Sequence, residues 1–77
     1  MPKSISNIRL HKRPERVLFS YDVCDGDTIL GKVSPVIASL NRPTGTWSYR
    51  IGDEIVWHAG HSAREAAMKM VKKLGYS

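Results

Sequence analysis

The sequence predicts one α+β domain, in which an antiparallel β-sheet of three to four strands packs against a single C-terminal helix. Two segments of alternating polarity, each with a glycine-containing turn, and one amphipathic segment after them are the observations behind this prediction. A chain of 77 residues has room for one hydrophobic core. We therefore expect residues 14–77 to form a single domain, preceded by a basic arm over residues 1–13 that need not be fully ordered.

The arm carries few structural signals. Ile5, Ile8 and Leu10 stand among polar and basic residues and fit neither a helical nor a strand period well. One short strand is expected near Ile8 to His11, and Pro14 then discourages regular structure before the first clear strand.

Alternating polarity predicts the first clear strand from Arg16 to Cys24, because successive side chains of a strand point to opposite faces. Asp25-Gly26-Asp27 follows as a hairpin turn, since glycine readily adopts the positive φ that such turns need. The apolar positions of this strand are Val17, Phe19, Tyr21 and Val23.

The length of that turn decides which residues become partners. A three-residue loop places Val23 opposite Ile29 and Phe19 opposite Val33, whereas a two-residue loop sets Phe19 against Lys32. We predict the three-residue loop because it collects apolar groups on one face.

Pro35 interrupts the partner strand, because proline has no N–H to donate to the ladder. We expect a bulge or the end of pairing at this residue. An extended path over Val36 to Leu40 and a turn over Asn41-Arg42-Pro43-Thr44-Gly45 should follow.

A second hairpin begins with the strand Thr46 to Ile51 and turns through a three-residue loop, Gly52-Asp53-Glu54. The predicted pairs are Ile51 with Ile55, Tyr49 with Trp57 and Trp47 with Ala59. At least two of the three aromatic residues among these are expected in the core. The predicted opposite face carries Thr46, Ser48, Arg50, Val56 and His58.

The helix is the best-specified element and is expected from about Ser62 to Leu74. Ser62 and Glu65 form a capping box, and Gly75 stands where a left-handed residue would end the helix. The apolar stripe expected to be core comprises Ala63, Ala66, Ala67, Met70, Val71 and Leu74. The outward face carries Arg64, Met68, Lys69, Lys72 and Lys73.

Charge is uneven along the chain, whose net charge is +5. Residues 1–16 hold five basic and one acidic side chain, residues 17–61 hold three basic and five acidic, and residues 62–77 hold four basic and one acidic. Basic ends on a slightly acidic sheet favour a polyanionic partner.

Other sequence features indicate the cellular compartment of the protein. The first residues lack the apolar stretch of a signal peptide, and no segment reaches the roughly 18 apolar residues of a membrane span, so we expect a cytoplasmic protein without a membrane partner. Cys24 is the only cysteine, which excludes an intramolecular disulfide and fits a reducing compartment. Homodimer formation would add buried surface to so short a chain and stays open.

The residue pattern does not favour enzymatic chemistry. Cys24 has no spacing relation to His11, His58 or His61 that would indicate a nucleophile and its base. His58 and His61 offer two nitrogens to a metal without an obvious third ligand, and the aspartates around Gly26 lack the spacing of a calcium loop. We expect no catalytic residue, no metal site and no cofactor.

A nucleic-acid partner is the favoured interpretation, with DNA preferred to RNA. Basic side chains on the arm and on the helix would contact phosphates, while residues of one sheet face would lie against the bases. The candidate nucleic-acid-binding residues are Arg9, Lys12, Arg13, Arg16, Ser48, Arg50, His58, Arg64, Lys69, Lys72 and Lys73.

A family resemblance covers about the last thirty residues. Gly45-Thr46-Trp47-Ser48-Tyr49-Arg50-Ile51, followed by the hairpin and then His61-Ser62-Ala63-Arg64-Glu65-Ala66-Ala67, resembles the sheet and helix of integrase arm-type and ethylene-response-factor DNA-binding domains. The resemblance implies that Ser48, Arg50 and His58 face a DNA major groove. Residues 59–66 are also similar to the end of double-stranded-RNA-binding domains, where the start of the helix contacts phosphates.

A protein partner is the alternative. Trp47, Tyr49 and Trp57 are many large aromatic residues for a chain of this length, and those left uncovered by the helix would serve as anchors. The chain would then be a regulator or inhibitor of the kind that phages and mobile elements encode, acting through an aromatic and basic surface.

Overall fold

The computed structural model describes residues 4–14, 19–38, 40 and 42–76. A short 3-10 turn leads into five antiparallel strands, each hydrogen-bonded to the next along the chain, and a helix follows. The elements are the turn Ile5–Asn7, β1 (Ile8–Pro14), β2 (Phe19–Asp25), β3 (Thr28–Ile37), β4 (Pro43–Ile51), β5 (Glu54–Gly60) and α1 (Ala63–Lys73). The predicted α+β class is confirmed, with one strand more than expected.

The additional strand comes from the N-terminal segment. β1 pairs with β2 from Ile8 opposite Asp25 to Pro14 opposite Phe19, so the short strand predicted near Ile8 to His11 exists and is longer than expected. Ile8 and Leu10 pack against the core. Most of the described part of the predicted basic arm therefore lies in the sheet as an edge strand.

Both hairpin loops contain two residues, so the predicted three-residue loops were wrong. Asp25 lies opposite Thr28, and Ile51 lies opposite Glu54. The first loop residue is Gly26 in one hairpin, with φ +60°, and Gly52 in the other, with φ +59°. Glycine with positive φ at this position is the feature that a two-residue type II′ turn requires.

In the first hairpin, a bulge restores the predicted face but not the predicted partners. Leu30 is an extra residue on β3, because Cys24 faces Ile29 while Val23 faces Gly31. Val33 consequently pairs with Tyr21 and not with Phe19. Since the bulge shifts the pairing by one residue, apolar side chains still meet on one side of the sheet.

In the second hairpin, β5 turns the opposite set of side chains toward the core from the set predicted. Tyr49 pairs with Val56, and the register then shifts by two residues before Trp47 meets Gly60. Val56 is therefore half-buried against the core, whereas Ile55 and Trp57 are exposed. The predictions that Trp57 faces the core and that Val56 faces outward were wrong, because a loop shorter by one residue reverses the alternation of β5.

Between these hairpins, β3 and β4 form the long central ribbon. Its register shifts between Pro35 and Ile37, so the bulge is observed and the alternative, an end of pairing at Pro35, is not. The turn comes earlier than predicted, because β4 already begins at Pro43 and the amide of Ala38 donates to the carbonyl of Arg42 across 2.7 Å.

The helix agrees closely with its prediction. The hydroxyl of Ser62 accepts a hydrogen bond from the amide of Glu65 at 3.1 Å and caps the first turn. At the other end, Gly75 has φ +96°, and the amide of Tyr76 donates to the carbonyl of Val71. This is the Schellman arrangement, which satisfies the last carbonyl groups of the helix.

The core lies between the helix and one face of the sheet, where α1 contacts β3, β4 and β5. Tyr49 is buried and Trp47 is half-buried against this core, so the expectation that two of the three aromatic residues lie there is confirmed. The core residues are Val23, Val33, Tyr49, Ala59, Ala66, Ala67, Met70, Val71 and Tyr76. Within the described part of the chain, no helix is long and apolar enough to cross a membrane.

Candidate nucleic-acid interface

Two cationic side chains are neighbours on the sheet face that the helix does not cover. Lys32 of β3 and Arg50 of β4 are direct cross-strand partners, and such partners have Cβ atoms about 4.5–5.5 Å apart. The adjacent residues Val33 and Tyr49 point into the core on the other side. The potentials of two like charges add, so the pair makes this part of the sheet face positive at the cost of their mutual repulsion.

An exposed indole completes this surface. Ile55 of β5 is the cross-strand partner of Arg50, and Trp57 follows two residues later on the same face. Trp57 is 61% exposed and lies outside the hydrophobic core. The reversal of β5 therefore brings a large aromatic side chain beside the cationic pair.

Together these residues border a shallow cavity of about 380 Å³, which we call the sheet-face site. Among the described residues that line it, two are basic and none is acidic. Ser48 lies at its floor, only 7% exposed, with its hydroxyl donating to the carbonyl of Ser34 at 3.3 Å. The lining residues are Lys32, Ser34, Pro35, Ile37, Ser48, Arg50, Ile55 and Trp57.

Arg50 is held in place by its own turn. Its Nε donates to the carbonyl oxygen of Gly52 at 2.8 Å, which fixes the guanidinium near the rim of the site. The terminal nitrogens of the group carry the paired donors that match a phosphate or a base edge.

An ion pair flanks the site on β1 and β2. Arg13 Nε lies 2.7 Å from Asp22 Oδ2, and Asp22 is also the cross-strand partner of Lys32. The carboxylate of Asp22 balances the charge of Arg13, so this candidate residue adds less positive potential than its position in the sequence suggests.

His58 takes a separate role in the irregular part of β5. Its backbone has φ +55°, and its Nδ1 lies 2.6 Å from the hydroxyl oxygen of Thr46. His61 Nδ1 lies 3.9 Å from Glu65 Oε1. In the described ranges, no group of three or more His, Cys, Asp or Glu side chains comes together as a metal site would require.

A second basic surface lies on the helix side of the molecule. Arg9 and Arg64 border a cleft of about 250 Å³ between β1 and α1, whose floor includes Ile8, Leu10 and Met68. The guanidinium of Arg9 donates to the carbonyl of Ile8 at 3.0 Å. Among the described residues, none lines both this cleft and the sheet-face site.

The helix lysines differ in their contacts. Lys69 and Lys72 are exposed, whereas Lys73 forms an ion pair with Glu54 of β5. The hydrogen bond to that carboxylate raises the pKa of the Lys73 ammonium group. Because α1 packs on the covered side of the sheet, these lysines and Arg50 present two different surfaces.

Lys12 belongs to a third, largely aromatic region. Its Nζ lies 3.7 Å from the centre of the Phe19 ring, a cation–π contact. Phe19 borders a cavity of about 290 Å³ together with Tyr21 and Trp47, whose ring centres are 5.9 Å apart. This aromatic groove has Pro35 in common with the sheet-face site.

The structure thus separates the candidate residues predicted from sequence. Arg50 and Ser48 line the sheet-face site, Arg9 and Arg64 share the cleft, and Arg16 lies outside the described residues. The nucleic-acid-binding residues predicted from sequence did not include Lys32 or Trp57, although Trp57 was considered as an anchor for a protein partner. A two-residue Gly52-Asp53 loop, recognised from glycine at the first turn position, would have placed Trp57 on the face of Arg50.

Comparison with known proteins adds no relative. No family model, curated protein or solved structure matches the chain. The resemblance to DNA-binding domains stays a prediction, and the functional argument rests on the geometry of the sheet-face site.

Proposed function

We propose that this chain is a non-enzymatic nucleic-acid-binding protein and that the sheet-face site holds part of the nucleic-acid chain. The observation that carries the proposal is the register of Lys32 opposite Arg50, with exposed Trp57 on the same face. Cations attract phosphates, and an aromatic ring offers a surface for a base, which is the combination that nucleic-acid-binding sheets use.

The helix side adds a second place where phosphates can bind. Arg64, Lys69 and Lys72 are exposed there, and Arg9 borders the same cleft as Arg64. A long polyanion that wraps the edge of the domain would contact both surfaces, whereas a short one would contact one of them.

We propose DNA as the partner in preference to RNA because of the sequence resemblance to DNA-binding domains. A cytoplasmic setting is included because the buried Cys24 is a free thiol.

The test is equilibrium binding at low salt to labelled single-stranded DNA, duplex DNA and duplex RNA. We expect binding to at least one probe, and we expect Lys32→Ala with Arg50→Ala to weaken it by about tenfold or more. Arg42→Ala is the charge control, since Arg42 is exposed and does not line the site. No detectable binding to any probe, or equal losses in the control, would remove the proposal.

A protein-binding regulator is the second candidate, favoured by the aromatic groove. Phe19 is 49% exposed, and Tyr21 and Trp47 stand beside it with apolar walls. Grooves lined by aromatic rings are typical binding sites for extended, proline-rich peptides. Phe19→Ala distinguishes the two functions, because it should weaken binding to such peptides and leave nucleic-acid binding unchanged.

A further inference from the structure

The sheet-face site has a property that contact with phosphates alone does not explain. Trp57, Ile55 and Ile37 are 61%, 42% and 42% exposed, and all three line the site. Large apolar side chains do not attract a phosphate backbone. Their position beside Lys32 and Arg50 therefore indicates a ligand that offers an apolar face together with negative charge.

A duplex does not offer such a face here. Its bases are stacked inside the helix, and a groove is read by polar side chains that project far enough to reach base edges. The sequence resemblance implies that Ser48 faces a DNA groove. In the structure, Ser48 is buried and its hydroxyl donates a hydrogen bond to the carbonyl of Ser34. On this part of the sheet, the long polar side chains are the two cations Lys32 and Arg50, and they stand beside an aromatic ring and two isoleucines.

The dimensions of the site agree with one unpaired nucleotide. Its volume of about 380 Å³ lies near the lower end of the roughly 300–1,000 Å³ common for sites that hold a small molecule. An unpaired base can stack on an indole, while its phosphate lies within reach of neighbouring cations.

We propose that the sheet-face site binds a nucleotide of a single-stranded nucleic acid, with its base stacked on Trp57 and its phosphate contacted by Lys32 and Arg50. This inference rests on the proposed nucleic-acid-binding function and specifies the form of nucleic acid. Trp57 then provides the preference for an unpaired strand, whereas Lys32 and Arg50 contribute to the binding of any nucleic acid.

The experiment compares one mixed-sequence DNA strand of about twelve nucleotides, within the usual size range of such sites, with the same strand annealed to its complement. We expect the single strand to bind at least about fivefold more tightly than the duplex. Trp57→Ala should weaken single-strand binding by roughly 5- to 150-fold, and Trp57→Phe by much less, because stacking contributes about that much per base. Phe19→Ala is the matched control, since it removes another exposed aromatic ring from a different surface.

Two further measurements test whether Trp57 itself contacts the strand and whether each variant is folded. Quenching of tryptophan emission by the single strand should disappear in Trp57→Phe, which leaves Trp47 as the remaining indole. Thermal unfolding of each variant checks that it folds, as expected for an exposed residue outside the core. Equal or tighter binding of the duplex, or unchanged affinity in Trp57→Ala, would overturn the inference. Duplex binding that still depends on Lys32 and Arg50 would leave the proposed function standing. No binding to either DNA probe would remove this inference, and the proposed function would fall with it only if duplex RNA also fails to bind.

Discussion

The hydroxyl of Tyr76 donates a hydrogen bond to Asp25 Oδ2 across 2.5 Å, which ties the end of the helix to the turn between β2 and β3. The Schellman arrangement at Gly75 places Tyr76 for this contact, and the side chain is 5% exposed. A residue near the end of the described chain therefore joins two elements about fifty positions apart in sequence.

Tyr76→Phe should lower the thermal stability of the protein at neutral pH, since it leaves the carboxylate of Asp25 without this donor. The hydrogen bond to Asp25, and then burial, raise the pKa of the Tyr76 phenol above its ordinary value. The unfolded chain loses this proton first as pH rises, so the stabilisation is present below about pH 10 and declines above it. Melting temperatures from pH 7 to 11 should show the gap between wild type and variant narrowing at alkaline pH. A constant gap would contradict this account.

Gly31→Ala should destabilise the fold by about 1–3 kcal/mol, the usual cost of overpacking. A methyl group at this position would overlap the carbonyl oxygen of Arg50 and lie 2.9 Å from the sulfur of Met70, which is fully buried. Chemical denaturation measures the change. Thr28→Ala, at an exposed position of the same strand, is the control and should change stability by less than about 0.5 kcal/mol.

The helix was predictable because its determinants are local. A capping serine and a glycine past the end mark its bounds, and both have the predicted roles, while Glu65 contributes its backbone amide as the donor to the serine hydroxyl. Strand alternation likewise identified Tyr49 as core and Arg50 as outward-facing, since neighbouring residues of a strand must point to opposite faces.

Partners across the sheet were not predictable in the same way, because loop length and bulges act together. In the first hairpin, one extra residue at Leu30 compensated for the shorter loop and kept apolar side chains on one face. In the second hairpin, the pairing runs in register from the two-residue loop to Tyr49 opposite Val56 without a compensating bulge, so Trp57 reached the face of Arg50. Apolar pairing alone favoured the wrong register, because it counted Trp57 as a core residue.

Cys24 should react slowly with thiol reagents in the folded protein. The side chain is buried, 6% exposed, and burial, followed by the nearby charge of Asp22, raises the pKa of its thiol. Since the thiolate is the reactive form, alkylation at pH 8 should be at least about tenfold slower than in guanidinium-unfolded protein. Equal rates in the two states would show that the thiol is accessible in the folded protein.

The two cationic surfaces should differ in the salt dependence of binding to a short single strand. Each phosphate that a variant can no longer neutralise reduces the log–log salt slope by about 0.7 for single strands. Lys32→Ala with Arg50→Ala should therefore reduce the slope by about 0.7, because both cations contact the same phosphate. Lys72→Ala with Lys73→Ala should reduce it less, because Lys73 is paired with Glu54 and both lysines lie on the helix side. With a probe long enough to wrap the domain, the slope of the helix variant should also fall by about 0.7 for each phosphate that its lysines bound. If the helix variant reduces the salt slope for the short probe more than the sheet variant does, the principal phosphate-binding surface lies on the helix and not on the sheet.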